Sequence, residues 1–286
     1  MNHPLLVIIV KVTIFSLMLA MGINLSLEKM LSLWRKPALL FRALLAVVVL
    51  VPLVVVALLK LFNLPLGVTI GLVLLAASPG APLTTKRSQM AGARFRNSAS
   101  LQLTLALLAV VITPLTLGIF AILFDNIPDK VTMLNVAKQV SIAQFLPISL
   151  GLLLQKFGAK YAVAIAQPLT FIANSLFLVL IILACIVGIP LLSKLWGLPL
   201  MAIAIMVIVS LGIGHALGGP DDDKRSILAI SCIARNVGLA LFIAILNGLE
   251  KQVMPTVVVY LMVGAVFGVL YSIYHKRKLA QLSQEN

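Results

Sequence analysis

The sequence predicts an all-α polytopic membrane protein with nine transmembrane helices in an inverted repeat, two of them broken at mid-span. Three observations carry that prediction. Apolar residues make up 62% of the 286 residues and charged residues only 10%, with a mean hydropathy of +1.15; a soluble domain carries about 25% charged residues. The apolar residues fall in runs of the roughly 20 residues that a spanning helix needs, parted by short charged connectors. Two of those runs are interrupted by residues that a continuous helix rejects.

In chain order the spans run 4–24, 37–60, 64–93, 97–124, 134–156, 161–189, 197–218, 224–248 and 252–275, the third and eighth being broken. The first starts at Pro4 with no charged leader and no cleavage site, and reads as a retained helix. Turn chemistry marks the connectors, as in Asp125-Asn126-Ile127-Pro128-Asp129 and Gly218-Gly219-Pro220-Asp221-Asp222-Asp223. Little chain remains for an extramembrane unit, so residues 1–286 read as a single transmembrane domain. Cys185 and Cys232 lie inside apolar runs and imply no disulfide framework.

The net charge of +14 is placed as membrane topology rather than as a nucleic-acid face. Lys29, Arg35, Lys36, Arg94, Arg96, Lys156, Lys160, Lys224, Arg225, Lys276, Arg277 and Lys278 fall on one side. Lys60, Lys130, Lys194 and Lys251 fall on the other. That bias sets the first side in the cytoplasm, with the N-terminus outside and the C-terminus inside, in the plasma (inner) membrane.

The first break is Ala77-Ser78-Pro79-Gly80-Ala81-Pro82, where two prolines flank a glycine. Backbone groups freed at membrane depth are tolerated only inside protein or along a water-filled cavity. Pro82 suits the first position of a new half-helix, with Thr84, Thr85 and Lys86 in its first turn. Such an N-terminus offers partial positive charge and free N–H donors to an anion. A proline kink that only shapes packing is the plainer reading. The second break, Ile233-Ala234-Arg235-Asn236-Val237-Gly238-Leu239, makes that plainer reading harder to hold. An arginine at such depth costs from about 2.5 to more than 10 kcal/mol and marks a functional site by default. Asn236 and Gly238 both suit unwound backbone. Two spans precede each break and one follows it, so 4–124 pairs with 161–275 in opposite orientation, leaving 134–156 unpaired. This is the inverted-repeat plan of secondary transporters.

Four stretches carry a resemblance to the bile acid:sodium symporter family and its wider superfamily: Met21-Gly22-Ile23-Asn24-Leu25, Ser78-Pro79-Gly80, Thr113-Pro114-Leu115-Thr116 and Ala234-Arg235-Asn236-Val237-Gly238-Leu239-Ala240. The resemblance implies a panel of 4–24 and 134–189 and a core of 37–124 and 197–275, with the broken helices crossing in the core and facing a cleft. It also implies where sodium ligands belong, and most positions depart from the pattern. The family's serine-asparagine pair falls on Thr84 and Thr85, and its serine and threonine on the next span fall on Ser98 and Gln102. Its glutamate falls on Ser231, its following glutamine on Arg235, and a further glutamine on Val47. All eight acidic residues (Glu28, Asp125, Asp129, Asp221, Asp222, Asp223, Glu250 and Glu285) lie in loops, termini or span ends. No carboxylate stands at mid-membrane to balance Na⁺ or carry a proton.

The resulting expectation is a secondary carrier for a small or amphipathic organic anion, working by alternating access without sodium. Arg235 and Lys86 stand in for the missing cations, since a guanidinium or ammonium can hold unwound carbonyls as Na⁺ would. The expected substrate-binding set is Arg235, Asn236, Lys86, Thr84, Thr85, Pro82 and Asn174, with Lys86 the candidate for any coupled H⁺. The alternative is a sodium symporter using Thr84, Thr85, Ser98 and Gln102, with Ser231 degenerate. Lys86 and Arg87 also admit a vestibular reading, and Gln144 and Asn174 an interhelical one. Thr104 and Thr113 are expected to bond their own helices. His3, His215 and His275 sit near span ends without metal-ligand spacing. An intramembrane enzyme lacks a constellation at membrane depth, and a scaffold lacks loop surface. No nucleotide-binding or other cofactor motif is present.

Overall fold

The computed structural model describes residues 4–25, 27–124 and 133–282, and every regular element among them is a helix. The connector holding Asp125, Asp129 and Lys130 lies outside the described residues, as do His3, Glu285 and the side chains of Lys29, Arg96, Cys185, Lys194 and Lys278. The helices are α1 Pro4–Asn24, α2 Leu27–Trp34, α3 Pro37–Leu61, α4 Leu66–Ala76, α5 Thr84–Met90, α6 Phe95–Leu123, α7 Met133–Phe157, α8 Ala159–Leu192, α9 Leu198–Leu217, α10 Asp222–Ile233, α11 Val237–Leu246 and α12 Glu250–Leu282. Counting α10 and α11 as one span, seven among the described residues are long and apolar enough to cross a membrane.

Both interruptions fall where the sequence places them, at 77–83 and 234–236, with two local corrections. Pro82 does not open the half-helix: it lies with Leu83 in the turn, and α5 starts at Thr84. Gly238 is not unwound either, but sits in the first turn of α11. The short helix α2 was not anticipated, because eight residues make no span. It is held by α6, where Trp34 Nε1 donates to Thr104 Oγ1 at 3.2 Å. Thr104 bonds its own helix through Ser100 O, whereas the buried Thr113 hydroxyl has no partner among the described residues.

Two long helices contain a π turn, Leu45–Leu50 in α3 and Ser141–Phe145 in α7. In α3 the Val51 N–H bonds Ala46 O, five residues back. The next residue in that register is Pro52, which has no N–H, so the Val47 carbonyl is released from the ladder. In α7, Leu146 bonds Ser141 O and Pro147 follows.

Close packing brings these helices to one depth. Gly22 and Gly151 let α1 and α7 touch backbone to backbone: a Cβ on Gly151 would stand 2.6 Å from Leu19 O. Small residues at such crossings are the usual device where lipid removes the hydrophobic drive. The buried core runs through Ile70–Ala76 of α4, Leu101–Ala109 of α6 and Ile227–Ile233 of α10. By contrast α8 turns Val163, Phe171 and Ile186 outward.

Candidate functional site

The two breaks meet directly. The Asn236 N–H donates to Ser78 O at 2.8 Å, joining the end of the second interruption to the start of the first. Gly80 turns the first break with φ +80°, a conformation glycine alone adopts freely, and a Cβ there would stand 2.8 Å from the Ala106 nitrogen. Asn236 Oδ1 caps α11 by accepting the Leu239 N–H at 3.0 Å. Its Nδ2 donates to Gln144 Oε1 at 2.9 Å, and Gln144 Nε2 donates to Ala106 O. Gln144 stands on the π turn of α7, so an interhelical bridge reaches the site from a third element. On the other side Tyr260 donates its hydroxyl to Ile233 O, the last residue of α10.

Arg235 is 3% exposed, and its fork closes on carbonyls alone. Nε donates to Leu75 O at 3.1 Å and Nη2 to Ala76 O, the last carbonyls of α4. Nη1 and Nη2 both donate to Val47 O, at 3.0 and 3.1 Å. Helix ends leave such carbonyls unpaired, the Ser78-Pro79 turn cannot satisfy them all, and the π turn supplies the third. The guanidinium therefore fills a space walled by oxygen, where a further cation would meet positive charge.

The other proposed sodium oxygens do not converge. Thr84 Oγ1 bonds Ala81 O and Ser98 Oγ bonds Arg94 O, each within its own turn. Thr85 gives both its N–H and its hydroxyl to Gln102 Oε1, and Gln102 Nε2 donates to Pro82 O. Ser231 is buried, and its hydroxyl has no partner among the described residues. As arranged, this donor set does not fit a sodium ion.

A cavity of about 320 Å³ opens beside the breaks, between α1, α8, α11 and α12. Pro82, Arg235 and Asn236 lie on its wall. Thr84 and Thr85 do not; Thr84 bonds its own turn and Thr85 bonds Gln102 of α6. Lys86 is exposed and off the wall, while its neighbour Arg87 is on it, half-buried, with Nη2 donating to Gly264 O at 2.9 Å. Asn174 lines a different cavity of about 610 Å³ with Asn24, Gln155, Gln167 and Thr170. The sequence missed the choice between Lys86 and Arg87, which helical phase alone would have raised: consecutive residues point about 100° apart.

The sequence also missed a cluster near the ends of α9, α10 and α12. Ser226 Oγ donates to Ala91 O and lies 3.0 Å from His275 Nδ1, whose Nε2 is 3.5 Å from Asp222. Tyr271 stacks on His275 and pairs with His215 Nδ1 at 2.9 Å. Despite its Ser-His-Asp composition, Ser226 is fully buried and presents no nucleophile. The cluster ties helix ends together. No group of three or more His, Cys, Asp or Glu able to hold a metal occurs among the described residues.

Apolar helices of spanning length, packed around interlocked interruptions and a cavity, define an integral multi-pass membrane protein. The Sodium Bile acid symporter family profile matches residues 11–195, nearly two thirds of the chain. The chain therefore belongs to the sodium bile acid symporter family, whose members are membrane transporters of bile acid and organic anion type. The match takes in the first break and ends before the second. No characterised protein matches the chain.

Proposed function

We propose that this protein is a sodium-independent secondary carrier of a small or amphipathic organic anion, with Arg235 in place of a transported cation. The observation that carries this reading is the Arg235 guanidinium bonded to Val47, Leu75 and Ala76 carbonyls. A fixed charge there preorganises the unwound backbone without an ion. Transport then proceeds by alternating access, as uniport, exchange or proton-coupled movement. The panel of α1, α7 and α8 rocks against a core of the remaining long helices, and the substrate acid group approaches the breaks near Asn236. In this reading the chain makes nine spans in an inverted repeat, with the N-terminus outside and the C-terminus in the cytoplasm of the plasma (inner) membrane. Lys86 is left to the vestibule.

The test is thermal unfolding of the purified protein in detergent, with Na⁺ exchanged for K⁺ at fixed ionic strength. A ligand that binds the folded state alone raises the midpoint by mass action. The expected result is no sodium shift in the native protein and a saturable one in Arg235→Gln, which opens the oxygen-lined space. A saturable sodium shift in the native protein overturns the reading in favour of symport through Thr84, Thr85, Ser98 and Gln102.

A further inference from the structure

The cavity beside the breaks is walled by side chains such as Val10, Ile14, Leu180, Leu241 and Leu261, and two guanidiniums reach it. They are not equivalent. Arg235 spends its donors on three carbonyls. Arg87 makes one hydrogen bond among the described residues, to Gly264 O, although a guanidinium has five N–H donors. The ion pairs among the described residues are Lys224–Asp221, Arg225–Asp222 and His275–Asp222, so no carboxylate balances Arg87. A half-buried, unpaired cation on an apolar wall is costly unless something neutralises it. Its seat is also shaped: a Cβ on Gly268, one turn beyond Gly264, would stand 3.0 Å from Arg87 Nη2. Glycine leaves the guanidinium room to lie against α12 with its remaining edge free.

We propose that Arg87 is the anion seat of this cavity, and that Gly268 holds it open. The guanidinium takes the carboxylate or sulfonate of a singly charged amphiphile in a planar, two-point contact. The apolar body lies along α1, α8 and α11, in a volume at the small end of the usual 300–1,000 Å³ for ligand pockets. The seat rests on the carrier reading above. It assigns substrate recognition to Arg87 and leaves Arg235 the architecture.

The experiment compares octanoate with its neutral isostere octanamide, by thermal-shift titration of the purified protein in potassium buffer of fixed ionic strength. The native protein is expected to bind octanoate at least about tenfold more tightly, the scale of one good charge-assisted contact. Arg87→Gln is expected to bring the ratio to about one, and Gly268→Ala to lower it with the guanidinium still present. A native protein without preference, or a preference kept in Arg87→Gln, overturns the proposal, as does its loss in Lys86→Gln alone. Should Arg87→Gln fail to fold, phenylglyoxal labelling of the native protein decides instead. Arg87 is expected to be modified and protected by octanoate, and labelling without protection overturns the seat. The two readings fail separately, because a sodium shift strikes the Arg235 assignment and leaves the octanoate ratio untouched.

Discussion

The two interruptions solve one problem in opposite ways. The first, at 77–83, is seven residues long and is made by subtraction, through prolines without N–H groups and a glycine at φ +80°. Much of what satisfies it comes from elsewhere: Arg235 closes its upstream helix end, Asn236 bonds Ser78 O near its start and Gln102 caps its downstream end. The second, at 234–236, is three residues long and largely satisfies itself, Asn236 capping the helix that follows it. One break is thus a socket and the other a plug. Charge belongs to the plug, where Arg235 stands between the end of α10 and the Asn236 cap and reaches the carbonyls the socket leaves open.

The largest expected effect follows from removing the plug. Arg235→Leu strands the buried Val47 and Ala76 carbonyls at about 1–3 kcal/mol each and takes a charged donor from Leu75 O, which keeps the Ser78 N–H, so a loss of about 3 kcal/mol or more is expected in detergent unfolding. Next comes Gly80→Ala, which forces a left-handed alanine against Ala106, at about 2 kcal/mol. Gln102→Leu leaves Pro82 O and the Thr85 N–H unpaired and is expected to cost about 1.5 kcal/mol. If Gln102→Leu proved as costly as Arg235→Leu, the socket and plug would not be distinct.

The smallest effect lies outside the breaks. Asp221 caps α10 by accepting the Asp223 N–H, and Asp221→Ala is expected to cost about 1 kcal/mol. Partial burial raises the Asp221 carboxyl, but the Lys224 ammonium and the backbone N–H groups outweigh it and hold the group below the ordinary carboxylate range. A carboxyl lowered in the folded state stabilises above its unfolded value and loses that contribution as pH falls. The capping difference between native and Asp221→Ala protein is therefore expected to persist to pH values below the ordinary carboxylate range, as read by unfolding midpoints.

Much of this arrangement was legible in the sequence because the bilayer enforces it. Prolines at mid-span and an arginine among apolar residues have few structural uses, so Ser78-Pro79-Gly80 and Arg235 announced themselves. What stayed hidden was direction. Nothing in Thr84-Thr85-Lys86-Arg87 tells which basic residue meets the cavity, because a half-helix turns each successive residue to a new face. Pro82 was misplaced by two residues because proline suits both a turn and a helix start. Gln144 read as generic helix glue, since its partners Asn236 and Ala106 are distant in sequence. The Ser226, Asp222 and His275 contact is likewise a meeting of ends that no local spacing records.

The π turn of α3 has a bearing on which genetic changes this protein tolerates. The oxygen that receives Arg235 belongs to the backbone of Val47, and any amino acid there would offer the same atom. Its availability depends instead on Pro52, five residues on, whose missing N–H leaves the Val47 carbonyl outside the ladder. A residue with an N–H at position 52 would close the five-residue ring on that oxygen and compete with the guanidinium for it. The partner of the buried arginine is thus written five positions away from the atom that serves it. Substitution at Val47 would leave it in place, and a change at Pro52 would draw it back into the helix.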